Sequence, residues 1–169
     1  MRRVVVFDTS VLCVLLAVPG KDTCGPDDDF WDQERVDSFI RDERSRRSLF
    51  VLPLATIIET GNHIAQAGSR RLETAEALMA LLERSLNEKE PWAAFSQQAE
   101  LWGEESMRRL IAEWPQLAQS ALSLGDATIS AVADYYARTG AEVLIATGDQ
   151  GLKAYQPAPP ARQPRRRRQ

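Results

Sequence analysis

Three short apolar runs with no in–out alternation limit what this chain can fold into: RVVVF at Arg3–Phe7, LFVL at Leu49–Leu52 and VLIA at Val143–Ala146. A strand that is apolar on both faces must be covered on both faces, which is the habit of parallel sheets packed between helices. The intervening segments carry helical spacing. Val11–Val18 reads as a short helix stopped by Pro19-Gly20. Phe30–Arg47 places Val36, Phe39 and Ile40 on one face and ends in Arg44, Arg46 and Arg47, which suits a helix C-terminus. A helix from about Ala55 carries Ile57, Ile58, Ile64 and Ala65 and stops at Gly68. Ser69 then caps a helix with Leu72, Ala75, Met79, Leu82 and Leu86 as its apolar stripe. Gln97–Trp114 follows, with Met107, Leu110, Ile111 and Trp114 aligned and Pro115 closing it. Asp126–Arg138 aligns Ile129, Val132, Ala133 and Tyr136, and Gly148-Asp149 turns into a last short helix. The expected class is α/β, with a short parallel central sheet between helical layers and an added helical lobe over about 69–114.

A chain of 169 residues, 44% hydrophobic and 27% charged, fits one globular domain over 1–155. No apolar run approaches the roughly 18 residues that span a bilayer. Asp8 breaks the apolar stretch after Arg2 and Arg3 too early for a signal peptide, so a cytoplasmic protein with no membrane contact is expected. Cys13 and Cys24 belong to no CxxC pattern and are expected to be reduced, with Cys13 in the core. Residues 156–169 hold four prolines, five arginines and no large apolar side chain; they are expected to form a disordered tail, either solvated or binding RNA backbone or an acidic partner. The other 16 of the 21 basic residues face 24 acidic ones, a balance of −8, so the body of the protein does not attract nucleic acid by net charge.

Against that background, four acids stand where an apolar stretch gives way to a helix: Asp8, Glu59, Asp126 and Asp149. The carboxyl ends of parallel strands form one edge, where such sheets bind their ligands. Asp8 and Asp149 follow the first and third strands and belong at that edge. Aspartate is also a favoured helix N-cap, which is an alternative reading of Asp8, Asp126 and Asp149 taken singly. Glu59 lies within a helix and has no such explanation. Two unit charges about 5 Å apart repel by roughly 3 kcal/mol at an effective dielectric near 20. One or two Mg2+ or Mn2+ ions would reverse that sign, because hard cations take carboxylate oxygens. With one histidine in the chain, a Ser-His-Asp triad or a His-rich zinc site has little to work with.

The ordered set FDTSVL, the helix bearing Glu59, LGDATISAVA and IATGDQGL resembles the four acidic motifs of PIN-domain ribonucleases from residue 3 to about 155. That resemblance implies a Rossmann-like α/β/α sandwich and metal-dependent cleavage of single-stranded RNA. It implies that Asp8, Asp126 and Asp149 hold the metal, that Glu59 completes the cluster, and that Thr9 and Thr147 orient carboxylates or waters. Many such proteins are toxins of bacterial toxin–antitoxin modules, which would make an antitoxin a partner. The longer first connection (19–47) and the 69–114 helices depart from compact toxins.

His63 shares a helix face with Glu59, and Asn62 lies beside it; His63 is either a contact for phosphate or bound water, or a structural histidine. Asp27-Asp28-Asp29 reads as a solvated loop capping the next helix. Trp92, Trp102 and Trp114 read as core or as the interface of a homodimer. Two alternatives remain. One is a catalytically weak domain that binds RNA or protein. The other is a phosphatase or phospho-acceptor domain, which FDTSVL disfavours because it lacks the second aspartate of a DxD motif.

Overall fold

The computed structural model describes residues 2–87, 89–93 and 95–160, with backbone only at 95–97. Its elements in chain order are β1 (Arg3–Phe7), α1 (Thr9–Leu15), a 3-10 turn (Asp27–Asp29), α2 (Gln33–Ser45), β2 (Leu49–Val51), α3 (Leu54–Gln66), α4 (Arg71–Leu86), a 3-10 segment (Phe95–Trp102), α5 (Glu104–Gln119), α6 (Leu124–Arg138), β3 (Glu142–Ala146) and α7 (Gln150–Lys153). The three strands form a parallel sheet in the order β2-β1-β3, with Val5 opposite Phe50 on one side and Leu144 on the other.

Because successive side chains of a strand point to opposite faces, β1 feeds two cores. Val5 and Phe7 pack with Val11, Leu12, Val36, Ile57, Leu78 and Leu81, so α1 to α4 cover one face. Val4 and Val6 pack with Ile129, Val132, Ala133 and Tyr136, so α6 covers the other. The fold is therefore α/β with helices on both faces of a small parallel sheet. Trp92 belongs to the first core, its ring 5.7 Å from Phe7 and 5.4 Å from Phe50.

Several helices differ from expectation. α1 begins at Thr9, two residues early, because Asp8 caps it through the amides of Thr9 and Ser10. Ser69 is not the cap of α4; Arg70 holds that position in a left-handed conformation with no side-chain cap. The α4 stripe is rotated. Leu72, Met79 and Leu86 are exposed, and Thr74, Leu78, Leu81 and Ser85 are buried. Thr74 satisfies its hydroxyl on Arg70 O and Ser85 on Ala93 O, so two small polar residues occupy the inner face without an unpaired group. The segment 97–114 is not one helix. Gly103 separates a 3-10 segment from α5, and Pro115 lies inside α5 rather than closing it. Ile111 is exposed while Trp114 is half-buried, its indole N–H donating to Leu122 O. The cap of α2 is Asp32 and not the aspartate run.

Gln156, expected to begin the tail, is fixed to β3: its Oε1 accepts from Ile145 N at 2.7 Å and its Nε2 donates to Val143 O. Residues 161–169, where the tail's arginines fall, lie outside the described residues. Among the described residues no helix is long and apolar enough to cross a membrane.

Candidate functional site

The carboxyl ends of β1 and β3 are joined by a hydrogen-bond network. Asp8 is 4% exposed. Its Oδ1 accepts from Thr9 N at 2.6 Å, and its Oδ2 accepts from Ser10 Oγ at 2.6 Å and Thr147 Oγ1 at 2.8 Å. The same two hydroxyls accept from the opposite turn: Gly148 N donates to Ser10 Oγ and Asp149 N to Thr147 Oγ1, each at 2.9 Å. Asp149 caps α7, its Oδ1 accepting from Gly151 N and Leu152 N. One network therefore fixes the position of both strand-end aspartates.

The other two acids arrive on helices. Glu59 stands within α3, and Thr9 Oγ1 donates to its Oε2 at 2.9 Å. Asp126 lies in the first turn of α6. Ser123 caps that helix, accepting from Asp126 N at 3.0 Å and donating to Asp126 Oδ2 at 2.7 Å. A Cβ on Gly125 would overlap Glu59 Oε1, so a larger residue there would push the end of that side chain aside.

Asp8, Glu59, Asp126 and Asp149 all line one cleft of about 350 Å3, together with Thr9, Ser10, Cys13, Lys21, Thr23, Cys24, His63 and Ser123. Asn62 is exposed on α3 and does not line it. Thr147 lies beneath the cleft, bonded to Asp8. A larger groove, of about 560 Å3, runs between α5 and α6, but Arg109, Glu113, Asp134 and Arg138 mix both signs there.

The electrostatics follow from this crowding. Burial pushes the Asp126 carboxyl above its ordinary range, and the charges of Asp8 and Asp149 push it the same way against the opposing bonds to Ser123. Burial also raises the Cys13 thiol to about 11 and the Cys24 thiol above its usual value, so neither is a ready thiolate nucleophile. Both cysteines are free.

The donors are of the kind Mg2+ or Mn2+ takes, carboxylate oxygens with hydroxyls behind them, and Asp126 already senses Asp8 and Asp149. Yet among the described residues no three His, Cys, Asp or Glu side chains stand close enough to coordinate one ion. Each carboxylate is instead turned onto a local donor: Asp126 onto Ser123, Asp149 onto the α7 amides, Glu59 onto Thr9. The set fits a hard cation in chemistry, and side-chain rotation is needed to bring three together.

The wall of the cleft is a loop the sequence left almost blank. Cys24 and Trp31 exchange backbone hydrogen bonds at 2.9 and 2.7 Å. A Cβ on Gly148 would stand 2.7 Å from both Cys24 Sγ and Gly25 N, so only glycine allows the Thr147–Asp149 turn to lie against this loop. Asp29 ties the loop to α2 through Arg35 and to α7 through Lys153 and Gln150. Its bond from Lys153, with Arg35 and Gln150 adding, lowers its carboxyl to about 2. A depressed carboxylate stabilises the fold above its unfolded value of 3.8 and loses that contribution as pH falls toward about 2. We expect Asp29→Asn to lower the melting temperature by about 2–4 °C at pH 7, the shift for roughly 1 kcal/mol after screening. Thermal melts from pH 7 to pH 2 check this, the gap between the two proteins closing on the acid side.

Lys21, Ser123 and Gly125 are the participants sequence reasoning passed over. Ser123 was readable, since serine three residues before an acid is a capping signature. Lys21 carries no such signal.

Fold and site together define an α/β protein with an acidic cleft at the carboxyl edge of its parallel sheet. Compared with protein-family models, with curated proteins and with solved structures, the chain matches none.

Proposed function

We propose that this protein is a metal-dependent endoribonuclease of the PIN-domain kind, hydrolysing phosphodiester bonds of single-stranded RNA. One observation carries the reading: four carboxylates from four separate elements open into a single cleft, two of them fixed at adjacent strand ends by shared hydroxyls. Asp8, Asp126 and Asp149 would hold Mg2+ or Mn2+, with Glu59 completing the set. Such an ion supplies positive charge that activates water and offsets the charge developing on the phosphodiester.

The chain's own residues do the positioning. Ser10 and Thr147 hold Asp8 Oδ2, which leaves Oδ1 with one backbone donor and room for another partner. Thr9 keeps the Glu59 carboxylate pointed at the cleft. The Asp126 carboxyl, raised first by burial and further by the charges of Asp8 and Asp149, gains from a bound cation, which would offset that repulsion. His63 lines the cleft and can donate to a phosphate oxygen.

The test is incubation with single-stranded and structured RNA in Mn2+, Mg2+ or EDTA. Cleavage of the single strand in either metal and none in EDTA is expected; equal results in all three sink the reading. A second reading, a domain that binds RNA or protein without turnover, is favoured by the turning of Asp126, Asp149 and Glu59 onto local donors. A toxin role adds an antitoxin lying across the cleft, which copurification of a small partner protein would support.

A further inference from the structure

The cleft presents a problem for the substrate just proposed. Four carboxylates line it, and an RNA strand is a polyanion, so approach is repulsive until bound metal ions offset the carboxylates, and a cation of the protein at the mouth would ease it further. Lys21 is the only lysine or arginine among its lining residues. We propose that Lys21 receives a backbone phosphate of the strand at the mouth of this cleft, an inference that rests on the nuclease reading.

Three features support it. First, the backbone of Lys21 is anchored. Val18, fully buried, accepts from Lys21 N at 2.9 Å, and its own N–H donates to Cys13 O at 3.0 Å. Gly20, at φ +78, makes the turn between them. Second, the side chain is free to move from that fixed root. Lys21 is exposed and makes no ion pair with a described residue, yet its charge bears on the buried Cys13 thiol at the floor of the cleft. Third, the neighbouring cations are engaged elsewhere. Arg35 lies 4.1 Å over the Trp31 ring and pairs with Asp29, and Lys153 pairs with Asp29 as well. Lysine at such a place acts as a mobile point charge on one phosphate and reads no base, which matches a contact that positions the strand without selecting sequence.

The test measures binding and turnover separately. Anisotropy of a labelled oligouridylate, with Ca2+ present to keep it uncut, is compared for wild type, Lys21→Ala and Lys21→Arg, with melting curves confirming that all three fold. Lys21→Ala is expected to weaken binding about tenfold and to flatten the slope of log affinity against log salt by about 0.7, the value for one single-strand phosphate. Lys21→Arg keeps most of the affinity. In cleavage assays with Mn2+ the alanine variant raises KM while kcat changes little. Unchanged affinity and salt slope in Lys21→Ala, or no binding by wild type, overturns the assignment. Binding without cleavage by wild type removes the nuclease reading and leaves Lys21 to be judged on the anisotropy alone.

Discussion

Asp8→Asn is expected to lower the rate of RNA cleavage in Mn2+ by at least about 100-fold, the upper end of what losing a mere supporting residue costs a metal site. Asp8 is the acid whose place is most firmly set. It ends the central strand, it is almost fully buried, and four donors from two segments converge on it. Asparagine keeps the size and can keep its oxygen toward Ser10 and Thr147, so those bonds of the turn remain, while the bond from Thr9 N is lost. What it removes is the charge. Two consequences separate this from simple unfolding. The carboxyl of Asp126 should fall back toward its ordinary range, because Asp8 is one of the charges holding it up; a carbon-detected titration of Asp126 reads that directly. The metal should also lose its effect on melting temperature, since an ion stabilises only the state that binds it. Single-turnover rates measure the main effect. A variant that cleaves at the wild-type rate would remove Asp8 from the chemistry, and with it the proposed function.

How much of this was legible in the sequence depended on distance along the chain. The strands were readable because burial on both faces leaves no alternation, and α6 because Ile129, Val132, Ala133 and Tyr136 repeat at helical spacing and all are buried. The edge position of Asp8 and Asp149 followed from strand topology alone. The face of α4 was not readable. Its larger apolar residues, Leu72, Met79 and Leu86, point outward, while Thr74 and Ser85 turn inward by bonding to backbone carbonyls. Hydrophobic periodicity ranks residues by apolarity and misses a polar group whose partner satisfies it. Lys21 was missed for a different reason. It sits in an irregular loop that is placed beside the cleft by contacts with Gly148 and Lys153, both distant in sequence. The contact of Gly125 with Glu59 belongs to the same class, since it arises only when α3 and α6 meet.

Glu43 is a further case of a partner distant in sequence, and its removal should have the largest effect on stability. In sequence it is one of many charges on a polar helix face. In the fold it is 2% exposed. Arg3 grips it with two nitrogens, Nε at 2.7 Å and Nη2 at 3.1 Å, across 40 residues of chain. Arg46 Nη1 adds a third bond at 3.1 Å and the Ser48 hydroxyl a fourth. This one carboxylate thereby joins α2, the first residue of β1 and the turn into β2. Burial alone would raise its carboxyl; the bonds from Arg3 and Ser48 and the charges of Arg3 and Arg46 outweigh that and hold it below its usual value. Removing one partner of a buried ion pair costs more than the pair is worth, because the other charge is left poorly solvated. Glu43→Ala is therefore expected to destabilise the protein by about 3 kcal/mol, at the low end for buried pairs because Arg3 is 22% exposed and also bonds Glu142. Glu43→Gln keeps acceptors for Ser48 and one arginine nitrogen and should lose roughly 1.5 kcal/mol. The sign with pH is fixed by the depressed value. The contribution is present above 4.5, the ordinary value for glutamate, and is lost as pH falls below it, so wild type and Glu43→Ala converge in acid. Urea denaturation at pH 7 and pH 3 measures both numbers. A loss below about 1 kcal/mol at pH 7 would class Glu43 with exposed surface pairs, and the joint it makes between α2 and the sheet would be energetically idle.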